Sequence, residues 1–323
     1  MKTPFAWLAE RVTLGDRALR WGTTAALVMS VLIVLGGGVV RVTASGLGCP
    51  TWPACDSTSL APTPELGIHG IIEFANRLFT TLLVFAVAWA IVAARLQKPR
   101  NRSLTRLAWS QFWLVVVNAI AGGISVLAGL NPWVVALHFM LAIALLTTTT
   151  LTWHRARQPA VTAPSCSPPA AVLGWVLASC TLVLIVVGTL VTGSGPHSGD
   201  SAEVPRMGFV WADVTVFHAA LGTLTLVVAI ALLIVLLRDP NGRVAARRVV
   251  FFIVVVIVQG AIGTVQALTA LPAALVALHL LGATLVWIGA LRVLLDTHPR
   301  LFMRLSPAAG NPVATRTSTE PSV

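Results

Sequence analysis

Hydrophobic residues run along this chain in long stretches that short polar segments interrupt. A helix needs about 20 apolar residues to cross the roughly 30 Å hydrocarbon core of a bilayer. Eight stretches are long enough, and they cover residues 21–42, 68–94, 106–128, 132–153, 171–192, 211–237, 248–270 and 273–295. This pattern predicts an all-α integral membrane protein with eight transmembrane helices, called the first to eighth spans below.

Basic residues lie almost entirely in every second polar segment. They are concentrated at residues 1–20, 95–105, 154–170, 238–247 and 296–323. The remaining long loops, residues 43–67 and 193–210, carry acidic residues instead. Lysine and arginine accumulate in cytoplasmic segments of membrane proteins. We therefore predict that both termini are cytoplasmic, with an uncleaved leader before the first span and a disordered tail after the eighth.

The overall composition agrees with a membrane protein. Hydrophobic residues make up 56% of the chain and charged residues only 10%, against about 25% charged residues in a typical soluble domain. The net charge of +11 would also suit a nucleic-acid-binding protein. Because the positive charge follows the membrane topology, the sequence favours membrane lipid and not nucleic acid as the partner.

An internal repeat divides the chain into two halves. Residues 118–142 align with residues 259–283, and both segments contain Val-Ala-Leu-His, ending at His138 and His279. Four consecutive identities ending in histidine are hard to obtain by chance, even in a chain rich in Leu, Val and Ala.

The repeat predicts two pseudo-symmetric bundles of four helices, at residues 21–153 and 171–295, joined by a cytoplasmic linker at 154–170. Each half has an even number of spans, so the two repeats have the same orientation. We expect them to be related by an axis along the membrane normal.

Three histidines lie at a common depth near the outer face. His138 and His279 fall about six residues into their spans and His218 about seven, which is roughly 10 Å below the outer surface at 1.5 Å per residue. Two imidazoles on facing helices can bind a haem iron from both sides. His218 and His279 are therefore the predicted haem ligands of the second half. The alternative is a pair of buried histidines hydrogen-bonded to the backbone or to Ser and Thr. Ionisable residues inside a membrane are usually functional, which favours the haem interpretation.

The first half has a different set of polar residues. Asn76 occupies the position that corresponds to His218, so this half has only His138 as a candidate iron ligand. His69 and Glu73 share one helix face with Asn76, because their spacing is i, i+4 and i+7. One half thus has two axial histidines, and the other is open on one side next to a carboxylate. A fixed cofactor beside a substrate site would have this form.

Glu73 and its neighbour Arg77 have two interpretations. A carboxylate within a membrane is costly unless it is solvated, paired or used in a reaction. Arg77 can pair either with Glu73 or with a haem propionate. Alternatively, both side chains extend to the outer interface without a specific role.

Cys49 and Cys55 lie in the first outer loop. A pair of this kind outside the cytoplasm can oxidise to a disulfide. The spacing is compatible with a structural disulfide or with a reactive dithiol, and we favour the structural one.

The chain resembles the haem A synthase family of bacterial membrane enzymes. The resemblance rests on Gly-Gly-Val-Val-Arg-Val-Thr-Ala-Ser-Gly-Leu-Gly-Cys-Pro-Thr-Trp-Pro-Ala-Cys at residues 37–55 and on His-Gly-Ile-Ile-Glu-Phe-Ala-Asn-Arg at residues 69–77. A Val-Thr-Gly-Ser-Gly-Pro-His-Ser-Gly-Asp segment at residues 191–200 and the three histidines complete it. The resemblance implies eight helices in the bacterial plasma membrane. It also implies oxidation of the C8 methyl of haem O to a formyl group, which gives haem A for terminal oxidases.

The resemblance also implies roles for single residues. His218 and His279 would bind a haem b cofactor through its iron, His138 would bind the iron of the substrate haem O, and Glu73 would be the catalytic carboxylate. The remaining residues expected at the substrate haem are Asn76, Arg77 and His69. The expected partners are haem O synthase, oxidase assembly factors and an electron donor.

The chain departs from the family pattern at two places. Many members have a histidine where this chain has Asn76, whose amide is a poor iron ligand. The first-half haem would then be five-coordinate or would use another group such as His69. Some members have a cysteine pair in the second outer loop, where this chain has His197 and Asp200.

Two other functions fit part of the pattern. A dihaem membrane cytochrome that exchanges electrons with quinone explains His218 and His279 equally well, but it does not explain Glu73. A transporter would have broken helices near the membrane midplane, whereas the candidate residues lie toward the outer surface. The sequence favours the enzyme.

Overall fold

The structure is a computed structural model that describes residues 4–57, 59–157, 166–201 and 203–298. The helices in these ranges are α1 Pro4–Arg11, α2 Asp16–Val42, α3 Gly67–Arg95 (after a 3₁₀ turn at Pro64–Leu66), α4 Arg102–Leu127, α5 Pro132–Arg155, α6 Pro168–Ser194, α7 Trp211–Leu237, α8 Arg243–Leu268 and α9 Ala273–Thr297. Eight of them, α2 to α9, are long and apolar enough to cross a membrane. The predicted all-α architecture with eight spans is confirmed.

Several helices extend beyond the apolar stretches that predicted them. α2 begins at Asp16 and not at residue 21, and α8 begins at Arg243 and not at residue 248. Long charged side chains can reach the polar interface while the helix backbone continues, which a count of apolar residues does not register. Parts of the predicted segments lie outside the described residues, namely 1–3 of the leader, 58 and 202 of the outer loops, 158–165 of the linker and 299–323 of the tail.

The helices pack in two circuits of four. In the first circuit α2 contacts α3 and α5, and α4 contacts the same two helices. In the second circuit α6 contacts α7 and α9, and α8 contacts the same two helices. Contacts of α9 with α2 and α5, together with contacts of α5 with α6, join the circuits. The helices therefore interlock through α5 and α9, which also carry His138 and His279.

Buried apolar side chains form three clusters. One lies within the first circuit around Leu83 and Val87, and one within the second around Leu232 and Phe252. The third joins the circuits and consists of Ile143, Leu146, Ile185, Trp287 and Leu291. Large apolar side chains such as Phe85 and Leu237 are exposed on the outer faces of the helices, as expected where lipid is the solvent.

The turns before α5 and α9 have the same backbone form. Leu130 and Leu271 have positive φ angles of 55° and 58°. Their backbone N–H groups donate to the carbonyls of Ser125 and Gln266, each at 2.8 Å. The left-handed conformation is unfavourable for a side chain with a Cβ, so the surrounding hydrogen bonds must hold it. These two turns set the starting points of the helices that carry His138 and His279.

Asp239 connects the end of α7 to the start of α6. Its carboxylate accepts hydrogen bonds from the backbone N–H groups of Ser167, at 2.6 Å, and Asn241, at 2.9 Å. These donors favour the charged form and hold the pKa of Asp239 below its usual value. The loop between α7 and α8 is thereby fixed against the first residues of the second circuit.

Candidate active site

His218 of α7 and His279 of α9 face each other near the outer ends of their helices. Their ring centroids are 6.4 Å apart, and the ring planes are inclined at 63°. A metal ion that binds one imidazole nitrogen on each side at about 2 Å separates the ring centres by roughly 6 Å. The observed separation therefore suits two axial ligands of a single iron.

Both rings rest against glycines of neighbouring helices. A Cβ added to Gly188 of α6 would lie 3.2 Å from Cε1 of His218, and one added to Gly263 of α8 would lie 3.1 Å from Cε1 of His279. These distances are tighter than ordinary van der Waals contact. The absence of a side chain at each glycine allows the imidazole to approach the opposing helix closely.

The first half repeats this arrangement with one substitution. A Cβ added to Gly122 of α4 would lie 3.1 Å from Cε1 of His138, and one added to Gly36 of α2 would collide with Oδ1 of Asn76. Asn76 therefore stands against α2 in the same way that His218 stands against α6. Each of the four polar side chains thus packs on a glycine of a neighbouring helix. Three of them are imidazoles, and the side chain of Asn76 is an amide.

Four buried polar atoms at these positions lack hydrogen-bond partners of good geometry. They are Oδ1 of Asn76 and the Nδ1 atoms of His138, His218 and His279. The histidine rings approach the backbone at Asn118, Leu184 and Gln259 respectively. Buried polar groups are usually paired, so imidazoles whose Nδ1 atoms have only these poorly aligned backbone contacts fit residues that hold a bound group. The histidines of both halves fit haem as axial ligands.

Glu73 of α3 is buried, with 5% of its surface exposed. Its Oε2 accepts a hydrogen bond from the backbone N–H of Cys49 at 2.7 Å, and its Oε1 pairs with Nη2 of Arg77 at 2.6 Å. The carboxylate is therefore both paired and shielded, which compensates part of the cost of burying a charge. The two side chains do not simply extend to the outer interface.

Arg77 binds the first outer loop as well as Glu73. Its guanidinium donates to the carbonyls of Thr51 and Ala54, each at 3.0 Å, and of Cys49 and Pro53, each at 3.3 Å. These contacts hold the arginine against the loop, and Glu73 is its charged partner. The predicted disulfide between Cys49 and Cys55 is present and closes the same loop.

Trp52 extends this loop toward His138. Its indole packs on Gly123 of α4, where a Cβ would collide with the ring. Gly123 is adjacent to Gly122, which contacts His138. The loop closed by the disulfide thus reaches from Glu73 on α3 to the helix that supports the first-half histidine.

His69 lies in the first turn of α3 and is exposed. Its Nδ1 is 3.0 Å from Oγ of Ser45, a fully buried residue that is also 2.9 Å from Oγ1 of Thr43. Ser45 therefore fixes the imidazole near the outer surface, two helical turns from Asn76. His69 lies on the predicted face, but at its outer end.

The two outer loops meet above the site. The backbone N–H of Gly46 donates to the carbonyl of Gly199 at 2.7 Å, beside a bridge between Ser45 and Asp200. Nη2 of Arg41 donates to the carbonyl of Thr192 at 2.7 Å. These contacts thus connect the two circuits of helices directly.

The second outer loop has its own contacts with the helices. His197 lies with Nε2 at 2.8 Å from the carbonyl of Leu271, in the turn before α9. Arg206 donates to the carbonyls of Gly195 and Pro196. His197 is therefore used by the loop and lies apart from the histidine pair.

The sequence did not predict every residue that shapes the site. The spans and the repeat identified the polar residues, and the repeat aligned Gly122 with Gly263. Three features were not predicted. They are the contacts of Gly36 and Gly188 with the polar residues, the packing of Trp52 on Gly123, and the contact of Ser45 with His69. Gly36 and Gly188 each lie on the helix that precedes the polar residue they contact. A glycine in that place is the sequence signal that would have indicated these two contacts.

The comparison with protein families matches residues 20–291 to the COX15-CtaA family, described as cytochrome oxidase assembly proteins. Proteins named haem A synthase are similar as well. The one from Lysinibacillus sphaericus is 34% identical over 40% of this chain and 41% of its own length. Those from Staphylococcus epidermidis and Symbiobacterium thermophilum are 25% and 32% identical, over 62% and 55% of this chain and 75% and 60% of their own lengths.

The first of these alignments covers less than half of the relative, whereas the family match covers nearly all of the membrane region. The family match includes both outer loops and all the polar residues of the site. This chain is a multi-pass membrane protein of bacterial type that belongs to the COX15-CtaA family of cytochrome oxidase assembly proteins, the family of the haem A synthases.

Proposed function

We propose that the protein is a haem A synthase that oxidises the C8 methyl of haem O to a formyl group. The buried carboxylate of Glu73 carries the proposal. It lies on the same face of α3 as Asn76, and it is held by Arg77 of the same helix and by Cys49 of the first outer loop. Trp52 of that loop packs on α4 beside the glycine that contacts His138. A cytochrome that only transfers electrons does not require such a carboxylate. The product haem A would pass to a terminal oxidase.

The proposed architecture is two pseudo-symmetric halves, at residues 21–153 and 171–295, with both termini in the cytoplasm. Support comes from the two circuits of helix contacts, the matching turns at Leu130 and Leu271, and the distribution of arginine. Glu73 and the loops that meet above it then lie on the extracytoplasmic side.

In the second half, His218 and His279 would hold a resident haem b. A bound haem supplies one-electron chemistry at its iron. The two imidazoles would bind its iron, and Gly188 and Gly263 let them lie close to the helices. This half would serve as the fixed redox site. The electron donor and acceptor would dock from outside the chain.

In the first half, His138 would orient haem O from one side, with Asn76 on the other. Trp52 and the loop closed by the disulfide would cover the site and exclude bulk water. Arg77 and His69 were predicted to contact the substrate. Arg77 would position Glu73 and the first outer loop and would not touch the substrate itself. His69 would lie at the edge of the site, where Ser45 holds its ring.

With water as the oxygen source, oxidation of the methyl group to a formyl group (–CH3 + H2O → –CHO + 4 H+ + 4 e−) would release protons next to the macrocycle, and the electrons would leave to the external acceptor. Glu73 would accept a proton as a general base, and the N–H of Cys49 holds its carboxylate in place. The charge of Glu73 would also stabilise positive charge that develops at the methyl carbon. Haem O synthase, which supplies the substrate, and oxidase assembly factors, which receive the product, are the expected partners.

The direct test is to express the chain in a host that makes haem O but no haem A, and to extract and separate the haems of its membranes. We expect haem A, or its hydroxylated precursor, to appear only when the chain is present. Haem b alone, with the haem O content unchanged and an electron donor supplied, would support the cytochrome instead.

A substitution of Glu73 tests the carboxylate. Glu73→Gln keeps the size and an acceptor for the N–H of Cys49 but removes the charge. We expect product to fall by roughly 10²-fold or more, in the range for a lost general base. The haem b bound between His218 and His279 should remain.

The matched control is Glu65→Gln, which removes an exposed acid of the same loop region. It should make normal amounts of product. Unchanged haem A levels in Glu73→Gln would refute the catalytic role of this carboxylate.

A further inference from the structure

The two halves are equivalent in packing but not in the chemistry of one position. His218 rests on Gly188, and Asn76 rests on Gly36 in the corresponding helix pair. The internal repeat aligns the same two positions. Asn76 therefore occupies the place of an axial ligand, and the question is what its amide does there.

The amide of Asn76 cannot replace an imidazole. Its side chain ends at the δ position, so it is shorter than histidine, and a neutral amide oxygen is a hard donor that iron in a porphyrin binds weakly. Its Oδ1 is directed at Gly36, buried and without a hydrogen-bond partner. On this side of the first-half site the protein presents an amide dipole and no iron ligand.

His69 is the other histidine on this face of α3, but the structure assigns it to a different contact. It lies two helical turns nearer the outer surface than Asn76, and Ser45 Oγ holds its Nδ1 at 3.0 Å. Ser45 is itself fully buried and tied to Thr43 and to the second outer loop. Moving His69 to the depth of His138 would break these contacts.

We infer that haem in the first half has His138 as its single protein ligand, and that the Asn76 side of the iron is open to a small exogenous ligand of the diatomic class. This rests on the proposed function, because it assumes that His138 binds haem. The side chain of Asn76 is the polar group that such a ligand would meet on this side. The second half, closed by His218 and His279, excludes the same ligand.

Carbon monoxide is the probe that separates the two sites. It binds ferrous haem that has a free axial position and binds poorly to haem held by two histidines. The experiment uses the full-length protein purified with its haems, reduced with dithionite, and records the spectrum with and without carbon monoxide. Haem per chain is counted by the pyridine haemochrome method. For two haems per chain we expect about half of the total haem to bind carbon monoxide.

Reciprocal substitutions provide the control. Asn76→His should remove carbon monoxide binding while both haems remain, because a second imidazole then closes the first site. His218→Asn should give the second half an open position and extend carbon monoxide binding to nearly all of the haem. His69→Ala should leave the carbon monoxide fraction unchanged, whereas an increase would identify His69 as the missing ligand and overturn the inference.

The outcomes separate failure of the inference from failure of the proposed function. Two haems per chain with no carbon monoxide binding in the wild type would overturn the open position alone. If haem O supplied in excess does not bind in addition to the haem of the second half, and His138→Ala has no effect on haem content, the proposed function fails and the inference fails with it.

Discussion

Arg77 illustrates how much a single side chain organises at this site. Its planar guanidinium donates in several directions at once, and here it bonds the carboxylate of Glu73 together with four carbonyls of the first outer loop. The sequence predicted either Glu73 or a haem propionate as the partner of Arg77. The carbonyl contacts were not predictable, because any residue has a carbonyl and only the path of the loop brings these four together.

Arg77→Gln should loosen the loop closed by Cys49 and Cys55. Hydrogen bonds to charged groups contribute about 1.5–3 kcal/mol each, so we expect the disulfide to react with a mild reductant at least about tenfold faster, which corresponds to ~1.4 kcal/mol. The measurement is the rate of thiol labelling after reductant is added to intact membranes.

Arg206→Gln is the matched control, since it removes arginine–carbonyl contacts from the second outer loop. Its labelling rate at Cys49 and Cys55 should equal that of the wild type. Equal rates in the two variants would show that Arg77 does not hold the loop.

At the scale of the helix, the polar residues of the site depend on glycines of the neighbouring helices. A helix normally disfavours glycine by about 1 kcal/mol relative to alanine, so a glycine that touches a histidine ring has a packing reason. Gly263 and Gly260 of α8 differ in this respect. A Cβ at Gly263 would meet His279, whereas a Cβ at Gly260 would meet nothing within 4 Å.

Gly263→Val should therefore displace the imidazole of His279 and reduce the haem b bound by the second half several-fold. Gly260→Val adds the same side chain one turn away on the same helix, into open space, and should keep normal haem content. Haem per purified chain and the low-spin ferrous spectrum measure the effect. If both variants lose haem equally, a general weakening of α8 and not contact with His279 is responsible.

At the scale of the whole molecule, the halves join at two levels. Between the two loops the backbone N–H of Gly46 donates to the carbonyl of Gly199, and Arg41 donates to the carbonyl of Thr192. Between α5 and α9 an apolar cluster contains one polar contact, in which Nε1 of Trp287 donates to Oγ1 of Thr147 at 2.9 Å. A hydrogen bond surrounded by apolar side chains fixes the register of two helices more specifically than their packing alone.

Thr147→Val and Trp287→Phe each remove one partner of this hydrogen bond. We expect each to lower the free energy of unfolding by about 1 kcal/mol and their effects to be non-additive in a double-mutant cycle. The measurement is thermal unfolding in detergent. Thr148→Val is the control, because the hydroxyl of Thr148 donates to Leu145 on its own helix. Additive effects at Thr147 and Trp287 would mean that the two side chains are not coupled.

The sequence alone determined the parts of this protein that depend on local composition. Eight spans followed from hydropathy, because each membrane helix satisfies its own backbone hydrogen bonds and needs only an apolar surface. The common depth of His138, His218 and His279 followed from their positions within those spans, since the rise per residue of a helix is constant. The cysteine spacing indicated a disulfide, and the internal repeat singled out Asn76.

Only the tertiary structure decided how these parts meet. The carboxylate of Glu73 is buried against the N–H of Cys49. Trp52 packs on Gly123, and Ser45 holds His69. These contacts join backbone atoms and surfaces that are far apart in the chain or carried by an irregular loop. Their physical basis is the three-dimensional path of the chain, which the periodicity of the sequence does not encode.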